Sequence, residues 1–101
     1  MNFVNCTPHA IVMNNGTTYA PTGNIARVSV SFSDANEDGI CSQVYGDVEG
    51  LPEAVEGTRY IVSALVLGSC SRNDIVAPAT GHSDTVRNDK GHIVSVPWFV
   101  S

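Results

Sequence analysis

GTRYIVSALVLGSCSRNDIVAP, residues 57–78, contains the longest apolar run in the chain. From Tyr60 to Leu67 seven of eight positions are apolar, the exception being Ser63. A half-exposed strand alternates apolar and polar side chains, so a run this continuous belongs inside the molecule. It is too short to cross a bilayer, which takes about 20 apolar residues. Arg59 to Val62 reads as a buried strand and Ile75 to Ala77 as a second short apolar run. Between them, Ser63 to roughly Cys70 is the one plausible helix. Its β-branched Val66 and its Gly68 weaken it, and a single long strand from Thr58 to Leu67 is the alternative. The polar tripeptide Arg72-Asn73-Asp74 separates this segment from the run that follows.

Outward from the central segment the chain breaks into short strands. Phe3-Val4-Asn5 opens one, Thr7-Pro8-His9 interrupts it, and Ala10 to Met13 resumes it. Pro8, with no N–H to give, belongs at an edge or bulge. Asn14-Asn15-Gly16 is the strongest hairpin signal and reads as a type I′ turn, because Asn-Gly tolerates positive φ. Thr17 to Tyr19 returns from it, and Ala20-Pro21-Thr22-Gly23 is a further turn. Ala26 to Phe32 alternates strictly, with Ala26, Val28, Val30 and Phe32 on one face, as a half-buried antiparallel strand does. Ile40 to Tyr45 reads as its partner and Gly46 to Pro52 as a loop between two glycines. Ser83 to Arg87, the turn Asn88-Asp89-Lys90-Gly91, Ile93 to Val96 and Trp98 to Val100 complete the pattern. About seven short strands with turn signals roughly every 8–12 residues predict a mainly β fold. The expectation is a small antiparallel β-sandwich or barrel, with at most one short helix after the central strand. The 101 residues form a single domain, 1–101.

Composition narrows the function classes. The chain is 43% apolar and 15% charged, an ordinary globular balance. Ten acids against five bases give a formal charge of −5, which disfavours binding to nucleic-acid phosphates or to an anionic membrane surface. The N-terminus shows no basic region followed by an apolar stretch, so no secretory leader is expected. Three cysteines, Cys6, Cys41 and Cys70, are an odd number at wide spacings, and reduced, cytosolic thiols are the simplest reading.

Candidate chemistry is sparse. Asp34-Ala35-Asn36-Glu37-Asp38-Gly39 imitates the start of a calcium-binding loop, but its twelfth position is Tyr45 where the bidentate glutamate belongs, so a solvated acidic turn is preferred. Cys6 and His9 are three apart around Pro8, a spacing that points them to opposite faces of a strand and supports neither a nucleophile–base pair nor a metal site. No catalytic residue, metal or cofactor is expected. Arg72-Asn73-Asp74 is the best binding candidate. A guanidinium can grip a phosphate bidentately, and Asn and Asp can read a ribose diol or a base edge. The bland alternative is a turn in which Arg72 simply pairs with Asp74. Arg27 and Arg87 on polar strand faces are candidates to join the site, and Tyr45 to stack on a base.

Several pieces together resemble a family of small proteins encoded by phages, prophages and actinobacteria, one without an assigned function. They are Asn5-x-Thr7-Pro8-His9, Pro21-x-Gly23-x-x-Ala26-Arg27-Val28, Tyr45-Gly46-x-Val48-x-Gly50-Leu51-Pro52, Gly57-x-x-Tyr60-Ile61-Val62-Ser63, Arg72-x-Asp74 and Val86-Arg87-Asn88. The resemblance spans nearly the whole chain, departing from the family pattern at Gly68-Ser69-Cys70-Ser71. By analogy with other small phage proteins, it implies an anti-defence factor that sequesters a nucleotide-derived immune signal, such as a cyclic ADP-ribose isomer or an ADP-ribose conjugate. Arg27, Tyr45, Arg72, Asn73, Asp74 and Arg87 would bind it, in a homo-oligomer with no enzymatic activity. The alternative is a small accessory or structural protein, or an inhibitor of a host enzyme, acting through a protein–protein interface.

Overall fold

A computed structural model describes all residues, 1–101, and shows a mainly β molecule with one short helix and no closed barrel. Strands β1 (Asn2–Asn5), β2 (Ile11–Val12), β3 (Thr18–Tyr19), β4 (Arg27–Phe32), β5 (Gln43–Glu49) and β6 (Thr58–Ile61) precede helix α1 (Ala64–Ser69). Strands β7 (Ile75–Pro78), β8 (Val86–Arg87), β9 (Ile93–Ser95) and β10 (Phe99–Val100) follow it. The central sheet has the order β1-β6-β7-β10, and β2-β3, β4-β5 and β8-β9 are separate two-stranded hairpins.

The apolar run resolves into a strand and a helix. Thr58 to Ile61 lies inside the central sheet, and Ser63 then stops the ladder by capping α1, its hydroxyl accepting from the Val66 amide at 3.2 Å. Six helical residues carry the chain back across the sheet, so β7 re-enters beside β6 in the same direction. The β1–β6 pair is parallel as well, and only β7–β10 is antiparallel. Parallel pairing follows from the crossover, and the apolar end of β6, Tyr60-Ile61 with Val62 after it, is buried on both faces.

On one face Cys6, Ala26, Tyr60, Val62, Val66 and Ile75 form the main core, with Val4, Val28, Val48 and Leu51 against it. Phe3, one residue from Val4, points to the opposite face and meets Tyr19 and Phe99 at ring-centroid distances of 5.6 and 5.0 Å. The Asn-x-Thr-Pro-His segment proves to be a structural staple. The buried Asn5 amide oxygen accepts from the Thr7 amide at 2.9 Å and the Thr7 hydroxyl at 2.6 Å, while its nitrogen donates to the carbonyls of His9 and Tyr19 at 2.8 and 2.9 Å. All four hydrogen-bonding positions of one side chain thus tie β1 to the turn after it and to β3.

The three hairpins share one loop. In each, a glycine at positive φ (Gly16, Gly39 or Gly91) donates to the carbonyl three residues back, that of Met13, Asn36 or Asn88. No other residue type has positive φ, so the Asn15-Gly16 turn is not type I′ but a three-residue loop closed by a left-handed glycine. Asn36 and Asn88 reinforce their loops by accepting two further amide hydrogens each. The acidic stretch at Asp34 to Gly39 is therefore a hairpin tip built on an asparagine turn.

The β4–β5 hairpin departs from the expected boundaries. Its second strand begins at Gln43 and runs through Gly46 to Glu49, where the sequence suggests a loop. Gly46 marks a bulge rather than an end: a Cβ there would fall 2.2 Å from the Ser29 hydroxyl across the pair. Gly50 closes the strand at φ +85°, with the space of a Cβ occupied by the Ile25 carbonyl oxygen at 2.2 Å. Only glycine fits that position.

Candidate functional site

Helix α1 presents two small residues, Ala64 and Gly68, as a low ridge with a groove on each side. The larger groove, about 540 Å³, runs along Leu67, Cys70, Arg72, Asn73, Ile75 and Ser101. The smaller, about 350 Å³, lies toward the hairpin and is bounded by Tyr45, Gly46, Leu65 and Ser69. Both are open clefts, and neither gathers a nucleophile with a base. Cys6 is fully buried and His9 exposed, so the thiol and imidazole read together in the sequence do not converge.

Arg72 is held from three sides. Its Nε and Nη2 donate to Asp74 Oδ1 and Oδ2 at 2.8 and 2.5 Å, its Nη1 donates to the Pro52 carbonyl at 2.8 Å, and its guanidinium carbon sits 5.6 Å from the centre of the Tyr60 ring. Tyr60 in turn donates from its hydroxyl to the Glu53 carbonyl. Arginine and tyrosine together thus pin the Leu51–Glu53 corner onto the central sheet. The Arg72 side chain is 30% exposed and that of Asp74 is 10% exposed. The hydrogen bonds from Arg72 hold the Asp74 carboxyl below its ordinary pKa, against the opposing effect of burial, and the same bonds raise Arg72. Burial pushes the Cys6 thiol up, with the positive charge of Arg72 acting in the other direction.

The pairing foreseen as the bland alternative for Arg72 is present in full: two of the five guanidinium N–H groups are spent on Asp74 and a third on the Pro52 carbonyl. Two N–H groups are left on a cation whose plane is fixed and whose side chain borders the larger groove. Asn73, between the paired residues, is exposed and lines the same groove. Tyr45 lies across the ridge, its hydroxyl on Gln43 Oε1 at 2.8 Å. The other two candidate arginines belong to other parts of the fold. Arg27 is at the base of β4, 4.0 Å from Glu49 on the paired strand and exposed with it. Arg87 donates to the carbonyls of Gly91 and Thr80, fastening the β8–β9 loop to the turn after β7.

Within one chain, then, Arg72, Asn73 and Asp74 stand together, Tyr45 lies on the neighbouring groove, and Arg27 and Arg87 occupy separate hairpins. The residues that give the clefts their shape, Ala64, Leu65 and Gly68, carry no chemical signal in the sequence. Only the helix geometry lines them up. No group of three or more His, Cys, Asp or Glu side chains is gathered as a metal site would need, and no helix is long and apolar enough to cross a membrane. Comparison with protein-family models, curated proteins and solved structures gave no match to this chain.

Proposed function

We propose that this chain is a non-enzymatic binding protein that holds a nucleotide-derived small molecule in the cleft beside α1. The observation that supports this is the Arg72 guanidinium, oriented by Asp74 and Pro52 and keeping two donors at the edge of an open groove. A cation fixed in this way loses little side-chain freedom when it meets a phosphate. Asn73 offers an amide to a ribose or base edge on the same groove, and the Tyr45 ring beyond the ridge offers a stacking surface. In this reading Asp74 acts through Arg72 and not on the ligand. Arg27 and Arg87 contribute only through a neighbouring copy. The resemblance to small phage proteins suggests the ligand class and the role: an immune nucleotide signal, sequestered so that anti-phage defence is not triggered.

The test is to incubate the protein with a panel of such signals, filter, quantify the free signal by mass spectrometry, then denature by heat and quantify again. Signal that vanishes and returns intact supports the reading. Signal that returns altered means catalysis, and a panel that never disappears removes the ligand class. Gly68→Leu is the matched control. A Cβ at Gly68 meets nothing within 4 Å, so the larger side chain fills the clefts without disturbing the helix, and binding should be lost with the fold intact. A second reading, an inhibitor or accessory subunit working through a protein interface, is favoured by the large apolar side chains exposed on the β4–β5 hairpin.

A further inference from the structure

The chain exposes more of itself than its size requires. Its accessible surface is 6762 Å², whereas a compact monomer of this mass exposes about 5,500 Å². Its radius of gyration is 15.7 Å, against about 13 Å for a compact domain of 100 residues. Only 16 of 101 residues are buried, and the main core cluster numbers six. The excess surface, more than about 1,000 Å², exceeds the roughly 800 Å² that each partner contributes to a standard stable interface.

Part of the uncovered apolar surface forms a continuous strip on one face of the β4–β5 arm. Register places Val28 opposite Val48, Val30 opposite Tyr45 and Phe32 opposite Gln43, and side chains of directly paired residues share a face. The first pair packs on the core. Beyond it, on the same face, Val30 is 40% exposed, Tyr45 47% and Phe32 64%, and Leu65 of α1, across the smaller groove, is 46% exposed. None of these six paired positions is charged. The Arg27–Glu49 pair and the serines Ser29 and Ser31 lie on the other face, where Val44, opposite Ser31, is the one large apolar side chain exposed.

We infer that this face is covered by the same face of a second copy of the chain, about a two-fold axis. A two-stranded hairpin standing alone in water is marginal at best. This arm projects from a small core and needs its cover whenever the chain is folded, which another copy always supplies. An uncharged, apolar strip is self-complementary, as a two-fold interface must be. The contact would roof the groove between Tyr45 and α1, making it a site shared by two protomers. This inference stands apart from the ligand reading and is tested without any ligand.

The experiment is sedimentation velocity or light scattering on the whole protein over a wide concentration range. The wild type should have twice the 10.7 kDa mass of one chain, or a higher even multiple. Phe32→Glu and Tyr45→Glu should weaken association by about a hundredfold or more, since each buries an unpaired charge at the contact. Ser31→Glu, on the opposite face of the same strand, should leave it unchanged. Both glutamate positions are well exposed in the single chain, so their loss of fold alongside an intact Ser31→Glu protein would equally show that the face is buried in the folded species. A wild type that stays monomeric throughout, an oligomer indifferent to Phe32→Glu and Tyr45→Glu, or an arm occupied by a different protein would overturn the inference.

Discussion

Replacing Arg72 by Met removes the bidentate pair to Asp74 and the bond to the Pro52 carbonyl while keeping much of the side chain's length over the Tyr60 ring. Breaking a buried ion pair from one side costs about 3–5 kcal/mol, because the other charge is left without a partner. The Arg72 side chain is 30% exposed, so solvent takes up part of that cost, and a loss of about 2–3 kcal/mol at neutral pH is expected. In urea this lowers the unfolding midpoint by about 1–2 M, compared at one protein concentration. The pH dependence gives a second readout. In the wild type the Asp74 pKa is lowered by Arg72, so its contribution is complete above the unfolded carboxyl value of about 3.9 and lost as pH falls through the folded value. Without Arg72 the buried carboxylate is raised instead, so the variant is penalised most at neutral pH and relieved on protonation. The gap between the two proteins must therefore begin to narrow above the unfolded carboxyl value of about 3.9, as the variant's raised carboxyl takes up its proton, and narrow further below it as the wild type loses its contribution. Arg72→Met with Asp74→Asn should recover part of the loss, giving a coupling of about 1–3 kcal/mol. A single-variant cost below about 1 kcal/mol, or a gap that does not change with pH, would refute the view that Arg72 is anchored chiefly by Asp74.

Asn5→Ala strands the Thr7 amide and the Tyr19 carbonyl and should cost about 2–4 kcal/mol, seen as a thermal midpoint lowered by about 10 °C or more. Asn5→Asp should not rescue it, because a carboxylate cannot donate to the His9 and Tyr19 carbonyls; a melt equal to wild type would contradict the staple. Thiol labelling of the native protein should modify exposed Cys41 readily and leave Cys6 untouched until denaturant is added, since Cys6 is fully enclosed and its thiol is raised by burial. Labelling of Cys6 at the native rate of Cys41 would show that the core under α1 opens.

Sequence patterning located the core and most of the strands, for identifiable reasons. Of the run from Tyr60 to Leu67 only Tyr60, Ile61, Val62 and Val66 are buried. The run is split between a two-faced strand and the helix that Ser63 caps, and a surface helix turns Ala64 and Leu65 outward, so continuity of apolar residues overstated the burial of its second half. Periodicity reveals which side chains share a face but not the direction of the neighbouring strand, so the parallel pairs β1–β6 and β6–β7 lay beyond it. The alternation of Ala26 to Phe32 is real, yet only Ala26 and Val28 reach the core; Val30 and Phe32 point the same way over empty space. Gly46 resembled a strand end because glycine commonly is one, whereas here it makes room for Ser29. At the candidate site the Arg72–Asp74 pairing was readable from spacing. The bond to Pro52 was not, since a backbone carbonyl twenty residues away has no signature, and the cleft itself is shaped by Ala64 and Gly68, whose contribution is an absence of bulk.

The parallel β1–β6 pairing has a consequence for how the chain acquires its shape. Asn2 to Asn5 can find its register only when Thr58 to Ile61 is present, half a chain away, and Asn5 pairs with Ile61 at the end of that ladder. The three glycine-closed hairpins lie between or after these strands and can form within about microseconds, but each alone is too weak to persist. The slow step is therefore the closure that brings the first strand onto β6, and local contacts contribute little before it. During synthesis the N-terminal strand must wait, unpaired, until the central segment has left the ribosome. Weakening a hairpin should then mainly speed unfolding, while damage to Asn5 or Ile61 should slow folding itself.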